Sequence, residues 1–297
     1  MRLRTTLPEQ RRGSERGISL DLGRRVSRAD APESVTSPTR AGLPCEAALA
    51  RNSLTEIWLA RLPNGGRCVV KCATDAYATD RGVARLIERE WTFLHAGASP
   101  GVVAAYGLER SERGPVLVTE YLPNGDLVTL AGSHPRHWAA ALHGLAGTLQ
   151  ALHGRGIVHR DIKPRNILLD GLERATLIDF ASAAYRGERA PAGGTTEAYS
   201  RPDRRPGAEV TAAEDEHAFA AVLYELLAGR PPYDTGLGGA AGGCFVPLHA
   251  EPSALADEPA IRDLAAIVDA ALDADAKEPD SLLEVFQSAL DAIIATR

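Results

Sequence analysis

The stretch HRDIKPRNILLD, residues 159–170, sets an aspartate, a lysine and an asparagine at 161, 163 and 166 between an apolar lead-in and an apolar exit. Lysine is rare in this chain. Lys71, Lys163 and Lys277 stand alone among 33 basic residues, the rest being arginine. A chain that favours arginine so strongly yet spends lysine here points to a position that needs a slim ammonium rather than a broad guanidinium. Asp161 and Asn166 lie on a loop that runs into the apolar residues Ile167, Leu168 and Leu169, and Asp179 follows a second apolar run at 176–178. If those runs pair as strands, the three side chains come together. One carboxylate can then orient a hydroxyl and accept its proton, while a second carboxylate and an amide oxygen hold Mg²⁺ against phosphate oxygens. Lys163 supplies a compact cation beside the group in transit, and Lys71 is a second candidate contact to phosphate.

Composition bounds the rest. The 297 residues, 44% hydrophobic and 24% charged, are ordinary for a globular chain large enough for one two-part domain. A formal net charge of -6 argues against broad contact with a nucleic-acid backbone. Cys45, Cys68, Cys72 and Cys244 are too few and too irregularly spaced for a disulfide framework, and no apolar run reaches the roughly 18 residues of a membrane span. The basic N-terminus has no apolar core of the kind a secretory signal carries. The expected partners therefore include neither nucleic acid nor membrane, and the expected location is the cytoplasm. Residues 1–44, rich in Arg, Ser, Thr and Pro without apolar periodicity, are expected to form a disordered basic tail.

From Cys45 onward the pattern changes. SLTEIWLARL (53–62) and GRCVVKCAT (66–74) read as strands joined by a PNGG turn at 63–66. Val83, Leu86, Ile87, Phe93 and Leu94 recur at helical spacing over 81–96 and predict one buried helix face. Two more strands follow at 102–109 and 115–122, and after them helices dominate, over 136–156, 214–229, 261–274 and 281–294. Strands first and helices later predict an α+β fold with a small sheet lobe and a larger helical lobe. Cys68 and Cys72 flank Lys71 on a strand and so point to the face opposite it, as small core residues.

These motifs, in this order, resemble the catalytic domain of eukaryotic-type serine/threonine protein kinases, a family also found in bacteria, over residues 45–297. The resemblance implies a two-lobed kinase fold: a small N-terminal antiparallel sheet with one helix over about 45–119, a hinge over 120–125, and a mainly helical lobe over 126–297. His159 to Asn166 are similar to the family's catalytic loop, which implies Asp161 as the catalytic base, Lys163 against the γ-phosphate, and Asn166 as a metal ligand. Asp179-Phe180-Ala181 stands where the family has D-F-G, implying that Asp179 chelates Mg²⁺. Cys68-Val69-Val70-Lys71 resembles the V-A-I-K strand, with Lys71 on the α and β phosphates and Glu90 as its partner. By the same resemblance Ile57, Val69, Thr119, Glu120, Leu122 and Leu168 surround the nucleotide, Thr119 at the gatekeeper position, and Asp215 braces the catalytic loop. The implied cofactors are ATP and Mg²⁺. The implied partner is a protein offering Ser or Thr, with a homodimer phosphorylating in trans also admitted.

The departures are specific. Where the family has G-x-G-x-x-G, residues 50–55 read ARNSLT, with no glycine. Side chains at 50, 52 and 55 are expected to hold the loop away from phosphate. Val69 replaces an alanine over the adenine, and Ala181 replaces a glycine. Thr196 to Asp203 is similar to T-P-x-Y-x-A-P-E, with Asp203 for Glu. The arginine that pairs with that acid falls near Glu278, so the salt bridge is expected to be lost or rewired through Arg204. Arg160 implies control by phosphorylation at Ser182, Thr195 or Thr196, with Thr195 favoured because Thr196 aligns with a threonine that contacts the catalytic acid. An active serine/threonine kinase is the leading expectation. The alternatives are a nucleotide-binding pseudokinase or scaffold and a small-molecule phosphotransferase.

Overall fold

The computed structural model describes residues 39–170, 174–189, 195–202, 204–205, 207–233, 248, 258–273 and 281–296. These described residues fall into two compact units, the first holding 39–95 together with 103–125, the second holding 96–102 and the described residues from 126 onward.

The first unit is an antiparallel six-stranded sheet and one helix. Its strands are β1 (Thr39–Arg40), β2 (Leu43–Arg51), β3 (Thr55–Arg61), β4 (Arg67–Ala73), β5 (Ala105–Ser111) and β6 (Gly114–Glu120), ordered β1-β2-β3-β4-β6-β5. Register sorts the side chains. Ile57 pairs with Lys71 and Lys71 with Leu117, while Leu59 pairs with Val69 and Val69 with Thr119, so these residues share one face. The alternate residues Cys68, Val70 and Cys72 pack on the other face with Leu43, Cys45, Ala60, Val116 and Val118 in a closed apolar cluster. Burial pushes the Cys68 and Cys72 thiols up to about 11, as befits core residues. Strands begin at Thr39, ahead of the expected boundary at Cys45, because β1 and β2 fold into a hairpin whose Leu43 and Cys45 complete that cluster. The remainder of the expected tail, residues 1–38, lies outside the described residues.

Helix α1 (Arg81–Ala96) starts at Asp80, whose carboxylate accepts from the Gly82 and Val83 amides at 2.8 and 2.9 Å. Its buried residues are Val83, Ile87, Glu90, Phe93 and Leu94. Leu86, expected on the buried face, is 42% exposed, and the place in the stripe belongs to a glutamate.

The second unit is built around helices α2 (Ala139–Gly154), α3 (Ala213–Ala228), α4 (Pro259–Leu272) and α5 (Leu282–Ala295). Helices α2 and α3 are apolar on nearly every side and lie in the core, whereas α4 and α5 bury single stripes, Ile261-Leu264-Val268-Leu272 and Leu283-Phe286-Leu290-Ile293. Gly229, at φ +74°, ends α3 in the left-handed conformation that glycine enters without cost. Gly101 is required for a different reason: a methyl group there would lie 1.9 Å from the Thr148 hydroxyl on α2. Two short antiparallel pairs position the loops, β7 (Ile157–Val158) with β10 (Ala184–Tyr185), and β8 (Ile167–Asp170) with β9 (Arg174–Leu177).

The 3₁₀ turn Glu197–Tyr199 is tied to α3 by the Tyr199 hydroxyl, which donates to the Glu225 carboxylate at 2.5 Å. Burial pushes the Glu225 carboxyl above its usual range, against the opposing pull of Tyr199 and the Arg165 charge. An acid raised by folding contributes stability below its unfolded pKa, about 4.3, and that contribution falls as pH rises through the folded value. Tyr199→Phe removes the donor and leaves a buried carboxylate oxygen unsatisfied, at a cost of about 1–3 kcal/mol. In urea titrations the loss should be larger at pH 8 than at pH 5; equal losses would disprove the coupling.

Candidate functional site

In the second unit the loop that begins at His159 is organised from beneath by Asp215, at the start of α3. Its carboxylate is wholly buried and accepts from the His159 amide at 2.8 Å, the Arg160 amide at 2.7 Å and His153 Nε2 at 2.9 Å. Burial alone would raise this carboxyl, yet the His153 hydrogen bond and charge and the Arg160 amide together hold it below the usual carboxylate range. Arg160 adopts φ +71°, a left-handed conformation that a non-glycine residue keeps only when its surroundings hold it. The two amides clasped by Asp215 are that restraint.

The imidazole of His159 links the loop at Asp161 to the chain before Asp179. Its Nδ1 accepts from the Asp161 amide at 3.3 Å, so Nε2 carries the proton and donates to the Ile178 carbonyl at 3.1 Å, and the ring packs edge-on against buried Phe180 at 4.7 Å. The β8–β9 pairing supplies the second tie: Ile167 faces Leu177, and the Ile178 amide donates to the Asn166 carbonyl at 2.9 Å. Asp179 follows directly, at φ +63°. The pairing expected of the two apolar runs is therefore present, and it brings the backbone around Asn166 beside the residue that precedes Asp179.

Asp161 is the hub of a polar quartet. Lys163 Nζ donates to its Oδ2 at 2.7 Å, the Thr196 hydroxyl to its Oδ1 at 2.8 Å, and Asn166 Nδ2 to Oδ2 at 3.0 Å and to the Asp161 carbonyl at 2.8 Å. Lys163 also donates to the Thr196 hydroxyl at 2.9 Å. Every neighbour donates to Asp161, an arrangement suited to an ionised carboxylate. Leu168 sits in β8, buried, and bridges to Asp126.

In the first unit Lys71 on β4 and Glu90 on α1 form an ion pair at 2.7 Å, their side chains 13% and 5% exposed. Ile57, Val69 and Thr119 lie on the Lys71 face, Glu120 ends β6 with its amide on the Ala104 carbonyl at 2.8 Å, and Leu122 lies half-buried just beyond.

Residues 59–240, more than half of the chain, match the family model of the protein kinase domain. The chain belongs to the protein kinase family. It is 33% identical to serine/threonine-protein kinase PkaB of Streptomyces coelicolor over 65% of its own length and 50% of that protein. It is 30% identical to serine/threonine-protein kinase pkn2 of Myxococcus xanthus, over 63% of this chain and 24% of the relative. It is also 30% identical to serine/threonine-protein kinase PknB of Mycobacterium leprae, over 62% and 32%. The chain thus spans half or less of each of these relatives.

Protein kinase domains use ATP and Mg²⁺, and the residues present fit the metal. Asn166 is fully buried, and its Oδ1 has no hydrogen-bond partner among the described residues. A buried amide oxygen without a donor is costly unless an electropositive group meets it, and a hard divalent cation takes oxygen ligands. Asn166 Oδ1 and the Asp179 carboxylate are the groups suited to hold it.

The departures from the kinase pattern have local explanations. The glycine-free turn after β2 closes without any left-handed residue: Asn52 Oδ1 accepts from the amides of Leu54 and Thr55 at 2.9 and 2.8 Å and from the Thr55 hydroxyl at 3.3 Å. Asp203 and Glu278 lie outside the described residues. Arg204 is described, and it pairs with Glu214, its Nε 3.1 Å from the carboxylate. Sequence reasoning did not single out Glu214, His153 or the Tyr199–Glu225 pair. The only signal was the acidic run Glu214-Asp215-Glu216 opening a helix, which by itself reads as dipole compensation.

Asp215→Asn keeps the side-chain volume but turns an amide donor toward groups that are themselves donors. The expected loss is about 2–4 kcal/mol of unfolding free energy at pH 7. Because folding lowers this carboxyl, its contribution is present above the unfolded pKa of about 3.9 and disappears as pH falls through the folded value. Denaturant curves of the two proteins should converge at acid pH; a gap unchanged by acid would refute this account.

Proposed function

We propose that the chain is a serine/threonine protein kinase that transfers the γ-phosphate of ATP to Ser or Thr hydroxyls of proteins. The observation that carries the reading is the quartet of Asp161, Lys163, Asn166 and Thr196, in which a lysine of a nearly lysine-free chain is held at 2.7 Å from the Asp161 carboxylate. Asp161 orients the acceptor hydroxyl and receives its proton as the new P–O bond forms and the bond from the γ-phosphorus to the bridging oxygen breaks, releasing ADP. Lys163 offsets the charge on the γ-phosphoryl oxygens, and Thr196 fixes both side chains so that neither must reorganise. Asn166 and Asp179 would hold Mg²⁺, which when bound would supply charge neutralisation to phosphate oxygens. In the first unit we assign Lys71, oriented by Glu90, to the α and β phosphates, and Ile57, Val69, Thr119, Glu120 and Leu122 to the base; in the second unit we assign Leu168 to the base as well.

Among the described residues no helix is long and apolar enough to cross a membrane. We place the reaction in the cytoplasm, where ATP is supplied and where Cys45, Cys68 and Cys72 stay free thiols.

A second reading, a nucleotide-binding scaffold with little or no transfer, is favoured by one observation, the side-chain clasp at Asn52 where the family uses glycines. A single assay separates the two. The purified chain is incubated with γ-labelled ATP, Mg²⁺ and a generic basic protein, beside Asp161→Asn. Label on Ser or Thr, reduced about 100-fold or more in the variant and abolished by EDTA, is the expected result. No label above the variant with nucleotide still bound establishes the scaffold, and label on aminoglycosides or choline-like alcohols but never on protein establishes a small-molecule phosphotransferase.

A further inference from the structure

Arg160 is next to Asp161 in sequence, and its side chain is wholly buried. A guanidinium cannot shed its proton, so burial demands a counter-charge. The structure supplies one from α3. Arg160 Nε donates to Glu214 at 3.3 Å, and Nη1 donates to the Ser182 carbonyl at 3.3 Å. Nη2 has no partner among the described residues. The same carboxylate lies 3.1 Å from Nε of Arg204, whose Nη1 donates to the Thr195 hydroxyl. Thr195 precedes Thr196, the residue that donates to Asp161 and accepts from Lys163.

The contacts close a ring. From Asp161 it passes to its neighbour Arg160, across Glu214 to Arg204, through Thr195 to Thr196, and back to Asp161. A small pocket lies along it, walled by Arg160, Arg204, Glu214, Thr195, Thr196 and Tyr199. One carboxylate, 13% exposed, serves both guanidiniums. Burial pulls the Arg204 pKa down and the Arg160 charge adds to it, with Glu214 opposing, so without that acid two desolvated cations would face each other.

We propose that Glu214 is a positioning residue: a resident anion that seats residues 195–201 against the catalytic loop, so that this segment takes up its working geometry with no phosphate on it. Resting on the kinase reading, this makes Arg160 a structural cation whose counter-charge the fold already supplies through Glu214. A phosphate added to Thr195 would arrive as a dianion beside an existing carboxylate and would have to compete with it for Arg204.

The test separates this inference from the kinase reading. The full chain is stripped with a broad-specificity phosphatase, confirmed free of phosphate by intact mass, and compared with untreated protein and with Glu214→Gln. The first readout is amide hydrogen exchange over 195–202 and 159–163, which needs no catalysis. Stripped and untreated protein should exchange alike, whereas Glu214→Gln should exchange about 10-fold faster there. The second is steady-state kinetics. Stripped protein should keep kcat within about 2-fold, and Glu214→Gln should lose about 10-fold in kcat with the KM for ATP little changed. Adding Thr195→Glu to Glu214→Gln returns a carboxylate to Arg204 and should recover most of the loss, a rescue that a mere packing role would not give. Faster exchange after phosphatase treatment, or a Glu214→Gln protein that exchanges like the parent, overturns the proposal. Absence of transfer in every sample would fault the kinase reading while leaving the exchange result to decide this one.

Discussion

One buried carboxylate bends the chain on which the site depends. Asp215 accepts from two successive backbone amides, at His159 and Arg160, and so holds Arg160 at a φ that its side chain resists. That bend turns the chain so that His159 points one way, with its ring bonded to both the Asp161 amide and the Ile178 carbonyl, while the Arg160 side chain points into the protein. The imidazole spans the loop that carries Asp161 and the segment that leads to Asp179. A carboxylate worth a few hydrogen bonds in energy is thus worth far more in geometry, because three elements take their relative positions from it.

The polar groups of this region are joined in closed circuits rather than isolated pairs. Asp161, Lys163 and Thr196 each touch the other two. Glu214 ties Arg160 to Arg204, and Arg204 to Thr195. In a circuit each group has its orientation fixed from two sides, which reduces the reorganisation needed when charge moves. The first unit follows the same economy with Lys71 and Glu90, and the turn at Asn52 replaces backbone permissiveness with three hydrogen bonds to one side-chain oxygen.

Much of this was legible in the sequence because it is carried by short-range pattern. Alternation in TEIWLAR and RCVVKCA sorted Lys71 from Cys68 and Cys72, and helical spacing located α1 at Arg81–Ala96 as expected. Asp161, Lys163 and Asn166 lie close in sequence and are close in space. What escaped was set by partners distant in the chain. Strand β2, LPCEAALAR, has an alanine-rich composition that favours helix, and it is a strand because β1 and β3 pair with it on either side. Leu86, expected on the apolar face of α1, is 42% exposed, whereas Glu90 on that helix is buried against Lys71. Glu214 looked like one of three acids at a helix start, and only the fold gives it two arginines.

The scarcity of lysine has a chemical corollary. Acylating reagents and metabolic acyl donors attack side-chain amines, and this chain offers three, two of which are the ion-paired Lys71 and Lys163, 13% and 18% exposed. Its arginine-clad exterior is inert to such reagents. Two of the three side-chain amines that modification could reach thus lie where the chain's charge is most closely tied to its structure.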